Sequence, residues 1–330
     1  MTSDHCLLHA RQRTWPAATR RRRQAGLTLL ELVVAVLLGL VVLSGVLLTY
    51  IGSGVSDRQQ RALGRMTEDA QVAMAMITRE LQMAGYQQIQ SVVAGGANGV
   101  AQVRQGASFK PVFGCLYGFT DNRAAFDSSV CNAAPTGTAP AGTPAIEINH
   151  EVTADTALAN SNNALTDCQG TAVPGGNRVS NRFFVKQGGT AAEPVFELSC
   201  ASNASDAQPL VPQVREVKVR YGVAPNWAAQ DPATWRPQRF VTADVVDASN
   251  QWSNVVAVRV CLLMRSADPV LAPGTAPAAP VPSAGPNAAP TPLVAGEATY
   301  VDCDGVRQNA FDRHLYRAFK STVTLRNRVS

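Results

Sequence analysis

Histidine is scarce in this chain: four occur in 330 residues, and beyond residue 26 there are just His150 and His314. Acid–base and nucleophilic catalysis need converging titratable groups, so this supply argues against an enzyme. No serine sits in a Gly-x-Ser-x-Gly elbow, no His-Glu-x-x-His occurs, and no glycine-rich phosphate loop precedes a Lys-Ser/Thr pair. Cys-x-x-Cys is absent as well, which removes the usual zinc and redox motifs. Charge is sparse, at 16% of residues, and the formal net charge of +5 has a local origin. Residues 1–26 hold six Arg against Asp4, so the rest of the chain is near neutrality. No basic face marks that remainder as a partner for nucleic acid or anionic lipid. Asp302-Cys303-Asp304-Gly305 resembles the opening of a calcium loop, but the later ligands and the closing Glu do not follow. It reads as a polar turn, and no metal or cofactor is expected.

What is present is concentrated at the N-terminal end. Arg20-Arg21-Arg22-Arg23-Gln24-Ala25-Gly26 leads into Leu27-Thr28-Leu29-Leu30-Glu31 and an otherwise uncharged apolar run that reaches Ser56. A helix rising about 1.5 Å per residue is long enough over this run to cross a bilayer. Glu31 is the anomaly, since a carboxylate in hydrocarbon costs at least a few kcal/mol and calls for a partner. A cut after Gly26 would supply one, because the new α-amine of Leu27 is a cation within one helical turn, in the same chain or a neighbour. A cleavable Sec signal has a shorter apolar core and a small-x-small site after it. A twin-arginine signal on Thr19-Arg20-Arg21 fits poorly with Gln24 and Gly26, and a plain anchor leaves Gly26 and Glu31 unexplained. The basic leader keeps the N-terminus cytoplasmic by the positive-inside rule.

Gly26, Leu27 and Glu31 together resemble the type IV prepilin family, in which a leader ends in Gly and Glu stands fifth in the apolar helix that follows. The family more often has Phe where this chain has Leu27, a change that keeps the apolar character. The resemblance implies cleavage between Gly26 and Leu27 by a membrane prepilin peptidase, N-methylation of Leu27, and packing of the helix among other pilins. It also implies an α+β pilin fold, with a long N-terminal helix packed on an antiparallel sheet and disulfide-stapled loops.

Beyond Ser56 the helix turns amphipathic. Leu63, Met66, Ala70, Met74, Ile77, Leu81 and Ala84 recur at steps of three and four, with Arg58, Arg61, Arg65, Asp69 and Glu80 off that stripe. Gly85 caps it, giving a leader over 1–26, a helix over 27–86 with its membrane or assembly part at 27–56, and a β-rich domain over 87–330. Gly39, Gly45, Gly52 and Gly54 weaken the apolar half. Strands are expected at Ala145–His150, Arg182–Gln187, Pro194–Cys200, Val214–Val223, Asn254–Met264 and Ser321–Arg326. Loops around Trp227, Trp235 and Trp252 separate the later ones, and a Pro/Ala-rich loop occupies 266–297. Setting aside Cys6 in the leader, the even set Cys115, Cys131, Cys168, Cys200, Cys261 and Cys303 in an exported domain reads as disulfides. Sequence leaves the pairing open; the sequential one is preferred, because each bond then closes a polar loop.

Met76-Ile77-Thr78-Arg79-Glu80-Leu81-Gln82-Met83-Ala84-Gly85-Tyr86 is similar to the helix end of PilW-type minor pilins. So are Val214–Gly222, Val256–Val260 with Leu262-Leu263, and Thr324-Leu325-Arg326-Asn327-Arg328. That likeness implies a minor pilin that helps start type IV pilus assembly, with prepilin peptidase, major and minor pilins and the inner membrane as partners. The expected topology is a single span with a periplasmic C-terminal domain, followed by transfer to the base or tip of a pilus. A type II secretion minor pseudopilin shares the N-terminal signal. A tip adhesin or DNA-uptake subunit, displaying the turn at Ser202 and Asn203 or the Pro/Ala loop, is a reading of another class. A membrane-tethered enzyme is a third.

Overall fold

The computed structural model describes residues 28–87, 89–93, 100–104, 109–134, 143–152, 165–173, 178–189, 194–225, 235–271, 298–310 and 312–327. The chain forms two compact units, Met1–Gly54 and Val55–Ser330. Helix α1, Leu29–Met83, contributes to both.

In the first unit the described residues are the start of α1. Thr28 caps it: its carbonyl accepts the Leu32 N–H at 3.1 Å and its Oγ1 accepts the Glu31 N–H at 3.2 Å. Thr28 and Glu31 thus stand at the two positions of a Thr-x-x-Glu capping box, with the carboxylate in the first turn, where the helix dipole favours negative charge. Leu29–Tyr50 is a 22-residue apolar span with exposed side chains. The hydroxyls of Ser44 and Thr49 bond back to the carbonyls of Val41 and Gly45 at 2.8 and 2.7 Å, so these polar atoms are satisfied inside the helix.

In the second unit α1 turns one face inward. Met66, Ala70, Ala73, Ile77, Leu81 and Ala84 are buried, at steps of three and four. The expected stripe is shifted slightly, since Leu63 is 38% exposed and Ala73 takes the deep position beside a partly buried Met74. Glu80, expected off the stripe, is 9% exposed; the Asn181 amide donates to its Oε2 at 2.7 Å. Burial pushes its carboxyl up from the ordinary range, and the Asn181 hydrogen bond opposes that. α1 ends before Gly85, whose φ of 76° lies in the left-handed region and whose missing Cβ would meet Pro111 and the Asn327 carbonyl.

Two larger antiparallel sheets form the body of this unit, beside the two-stranded pairs Ile89–Val93 with Val100–Arg104, Leu165–Thr166 with Ala172–Val173, and Thr299–Val301 with Arg307–Asn309. Strands β1 (Val112–Cys115), β2 (Ala145–Glu151), β3 (Arg178–Gly189), β4 (Pro194–Ser202) and β5 (Gln208–Pro212) form the first, in that spatial order. Strands β6 (Val214–Val223), β7 (Arg239–Val241), β8 (Val255–Arg265) and β9 (Tyr316–Thr324) form the second, in the order β7-β6-β8-β9. Gln213, at φ 61°, is the single residue between β5 and β6 where the chain passes from sheet to sheet. The last strand begins and ends earlier than the expected Ser321–Arg326, because Tyr316–Arg317 already pair with Met264–Arg265.

One apolar cluster joins the helix stripe to both sheets. In β6 the alternation works as read: Val217, Val219 and Tyr221 are buried while Lys218 and Arg220 face outward. Tyr221 lies so close to Gly114 that a Cβ there would clash with its ring, so this inter-sheet contact requires glycine. Trp252, 3% exposed, completes the aromatic group, 5.0 Å from both Phe113 and Tyr221. Disulfides Cys115–Cys131, Cys168–Cys200 and Cys261–Cys303 tie peripheral turns to β1, β4 and β8. The last anchors a small hairpin, Thr299–Val301 with Arg307–Asn309, whose Cys303 and Tyr300 cover Cys261 and Leu263.

Candidate assembly site

The N-terminal residues that carry the chemistry are placed as far as Thr28. Gly26 and Leu27 lie outside the described residues, as do the leader and most of the Pro/Ala-rich 266–297 segment. Glu31 is exposed at the start of α1 and is the one charged side chain between Thr28 and Ser56. Beyond the backbone bond from its own N–H to Thr28, no interaction of the Glu31 carboxylate exists among the described residues. A carboxylate set in an apolar helix surface can accept a cation from another molecule.

Elsewhere the polar groups are engaged in holding the fold. Glu147 and Arg182 are fully buried and paired at 2.7 Å, on β2 and β3. The Arg182 guanidinium also donates to Ser129 Oγ at 2.7 Å and to the carbonyls of Asn122 and Ala125, while Ser129 and Asn149 donate to Glu147. Every arm of this network ends on the chain itself, so it pins the loop before Cys131. The one signal of it in the sequence was a charge in each of two expected strands, Glu147 and Arg182, which only the pairing of those strands brings opposite each other.

Asp302 accepts the N–H groups of Asp304 and Val306 at 2.9 Å and the Gln308 amide at 3.0 Å. Asp304 pairs with Lys218 and Arg220, which hold its carboxyl below the usual range against the upward push of partial burial. Both carboxylates at this turn are therefore occupied by the chain's own donors. At the turn that the adhesin reading would display, Ala204 and Asp206 are exposed while Ser202 and Asn203 hold the fold. Ser202 is buried and donates to Asp167 at 2.8 Å, and Asn203 bridges the Ser180 N–H and the Arg178 carbonyl. His314 is half-buried with Nδ1 2.7 Å from the Ser266 carbonyl. Trp235 is 41% exposed, and Trp227 lies outside the described residues.

The family described as Type IV Pilus-assembly protein W matches residues 182–327, and the prokaryotic N-terminal methylation motif matches residues 21–47. The two matches mark a type IV pilin-like chain whose C-terminal part is similar to the PilW-type minor pilins. The two matches bracket this pilin: one spans Gly26, Leu27 and Glu31, the other runs from Arg182 in β3 past the end of β9. Such a minor pilin takes part in pilus assembly, and the apolar helix associates it with a membrane. A solved structure, a type IV-like pilin from Thermus thermophilus, is similar at 14% identity and a TM-score of 0.35, over 80% of this pilin and 98% of that chain. No curated protein matches it.

Proposed function

We propose that this minor pilin helps start pilus assembly through Glu31 and a processed N-terminus. Prepilin peptidase cuts between Gly26 and Leu27, and the new amine of Leu27 is methylated. The Glu31 carboxylate then receives the α-amine of a neighbouring subunit, which brings the two helices into register as they leave the membrane. The observation that carries this reading is Glu31 itself, a lone exposed charge one turn into an apolar span of 22 residues. Desolvation makes an unpaired carboxylate there costly, so pairing favours assembly. The N-terminus lies in the cytoplasm and the β-rich unit in the periplasm until the subunit enters the base or tip of the pilus. Its role is structural rather than enzymatic, which the engaged state of the buried charges supports. The match to a pilus-assembly family favours the pilus over a type II secretion pseudopilus.

Glu31→Val tests the proposal. Membrane insertion and cleavage after Gly26 are expected to persist while the protein disappears from sheared pili. Incorporation of the variant at the wild-type level contradicts the role.

A further inference from the structure

Among the described residues the last strand of the second sheet has one open edge. β9 pairs with β8 alone among the described residues, and the parity of that pairing can be read from its ends. The Leu325 N–H donates to the Val256 carbonyl at 2.9 Å and the Ser266 N–H donates to the Leu315 carbonyl at 2.8 Å. In an antiparallel ladder, residues that bond the neighbour alternate with residues whose backbone groups point away. Odd-numbered residues of β9 therefore bond β8, and even-numbered ones turn N–H and C=O to the free side. Lys320, Thr322 and Thr324 are all exposed, and their outward backbone groups have no partner among the described residues. Further back, Ala318 is partly covered beside Tyr300 and Cys303. The open edge thus runs from Lys320 to Thr324.

Its charge has one sign. From Arg313 to Asn327 the sequence carries Arg313, Arg317, Lys320 and Arg326 and no acid. On the face shared with Lys320, Arg259 stands beside Thr322 and opposite Arg220, whose own charge is paired with Asp304 at 3.0 Å. Like charges opposed across strands are unfavourable, and lysine on an edge repels other copies of the same edge. In an antiparallel pairing of two β9 strands about their centre, Lys320 would meet Lys320. We propose that the β9 edge, from Lys320 to Thr324, is a docking site for an extended segment of a partner protein that carries acidic side chains at alternate positions. The backbone ladder supplies attachment, and the basic row selects charge. Glu31 has no part in this contact, so it stands or falls separately from the assembly role proposed above.

The test uses the full chain in detergent with disulfides intact, and two capped heptapeptides that alternate Thr with Glu or Thr with Lys. Saturable binding of the Glu peptide, with slowed hydrogen exchange at the amides of Lys320, Thr322 and Thr324, is expected; the Lys peptide is expected to show neither. Thr322→Pro removes an outward N–H that β8 does not use, and is expected to weaken the Glu peptide about tenfold with an unchanged melting temperature. Lys320→Glu leaves the backbone intact and is expected to shift preference toward the Lys peptide. No saturable binding, equal binding of both peptides, or protection at amides elsewhere overturns the proposal. So does a peptide-free dimer paired through β9, which would make a second copy the occupant.

Discussion

His150 shows how a single buried group sets a pH limit on this fold. It lies on β2 at 3% exposure, and its Nδ1 has no hydrogen-bond partner among the described residues. Burial lowers its pKa from 6.5 to about 4. The folded state then binds fewer protons than the unfolded chain between those values, so the stabilisation is full above about pH 6.5 and is lost as pH falls toward 4. At 1.36 kcal/mol per unit the loss amounts to about 3 kcal/mol. Urea melts of the wild type and His150→Leu at neutral pH and near pH 4 check this: the variant is expected to lose less stability on acidification by about that amount. Identical pH slopes would show that His150 binds its proton equally well in the folded and the unfolded chain. At the same scale, Glu80 and Glu147 show what sequence periodicity hides. A charged residue at a core position looks like a break in the pattern until its partner, Asn181 or Arg182, is known from the fold.

Among the elements, those with long, regular patterns were legible. The amphipathic end of α1 follows from its steps of three and four, and β6 from Glu216 to Tyr221 alternates as an outward and inward row should. The expected strands within β2, β3 and β4 fall inside longer observed ones, because pairing extends a strand past its apolar centre, whereas β8 is the expected Asn254–Met264 shifted by one residue. Short strands were not legible: Val112–Cys115, Gln208–Pro212 and Arg239–Val241 hold too few residues for a period, and only a neighbouring strand makes them strands. The turns near them depend on covalent closure. The bonds Cys115–Cys131, Cys168–Cys200 and Cys261–Cys303 span 16, 32 and 42 residues. Loop-closure entropy in the unfolded chain makes each worth roughly 3 to 4 kcal/mol. Cys261→Ser with Cys303→Ser is therefore expected to lower the unfolding free energy by a few kcal/mol and to raise hydrogen exchange in the hairpin Thr299–Val301 with Arg307–Asn309 first. Unchanged protection there would mean that the hairpin is held by Tyr300 against Tyr316 rather than by the bond.

For the molecule as a whole, the distribution of charge separates its parts. Residues 1–26 hold the basic excess, the span to Tyr50 holds Glu31 alone, and the rest is balanced. That ordering is what made the N-terminal motif legible without a structure: the cost of a charge in hydrocarbon is local and does not depend on tertiary contacts. The open β9 edge had the opposite character, since a strand's place at the margin of a sheet is a property of topology and appears in no window of sequence. The central claim, that this chain is a processed pilin subunit, is tested most directly by the intact mass and N-terminal sequence of the protein recovered from sheared pili without reductant. The account predicts a chain that starts at Leu27, carries one added methyl group on its amine, and is six hydrogens lighter than the thiol form, as three disulfides require. A chain that starts at Met1, or that is absent from the pili, would contradict it.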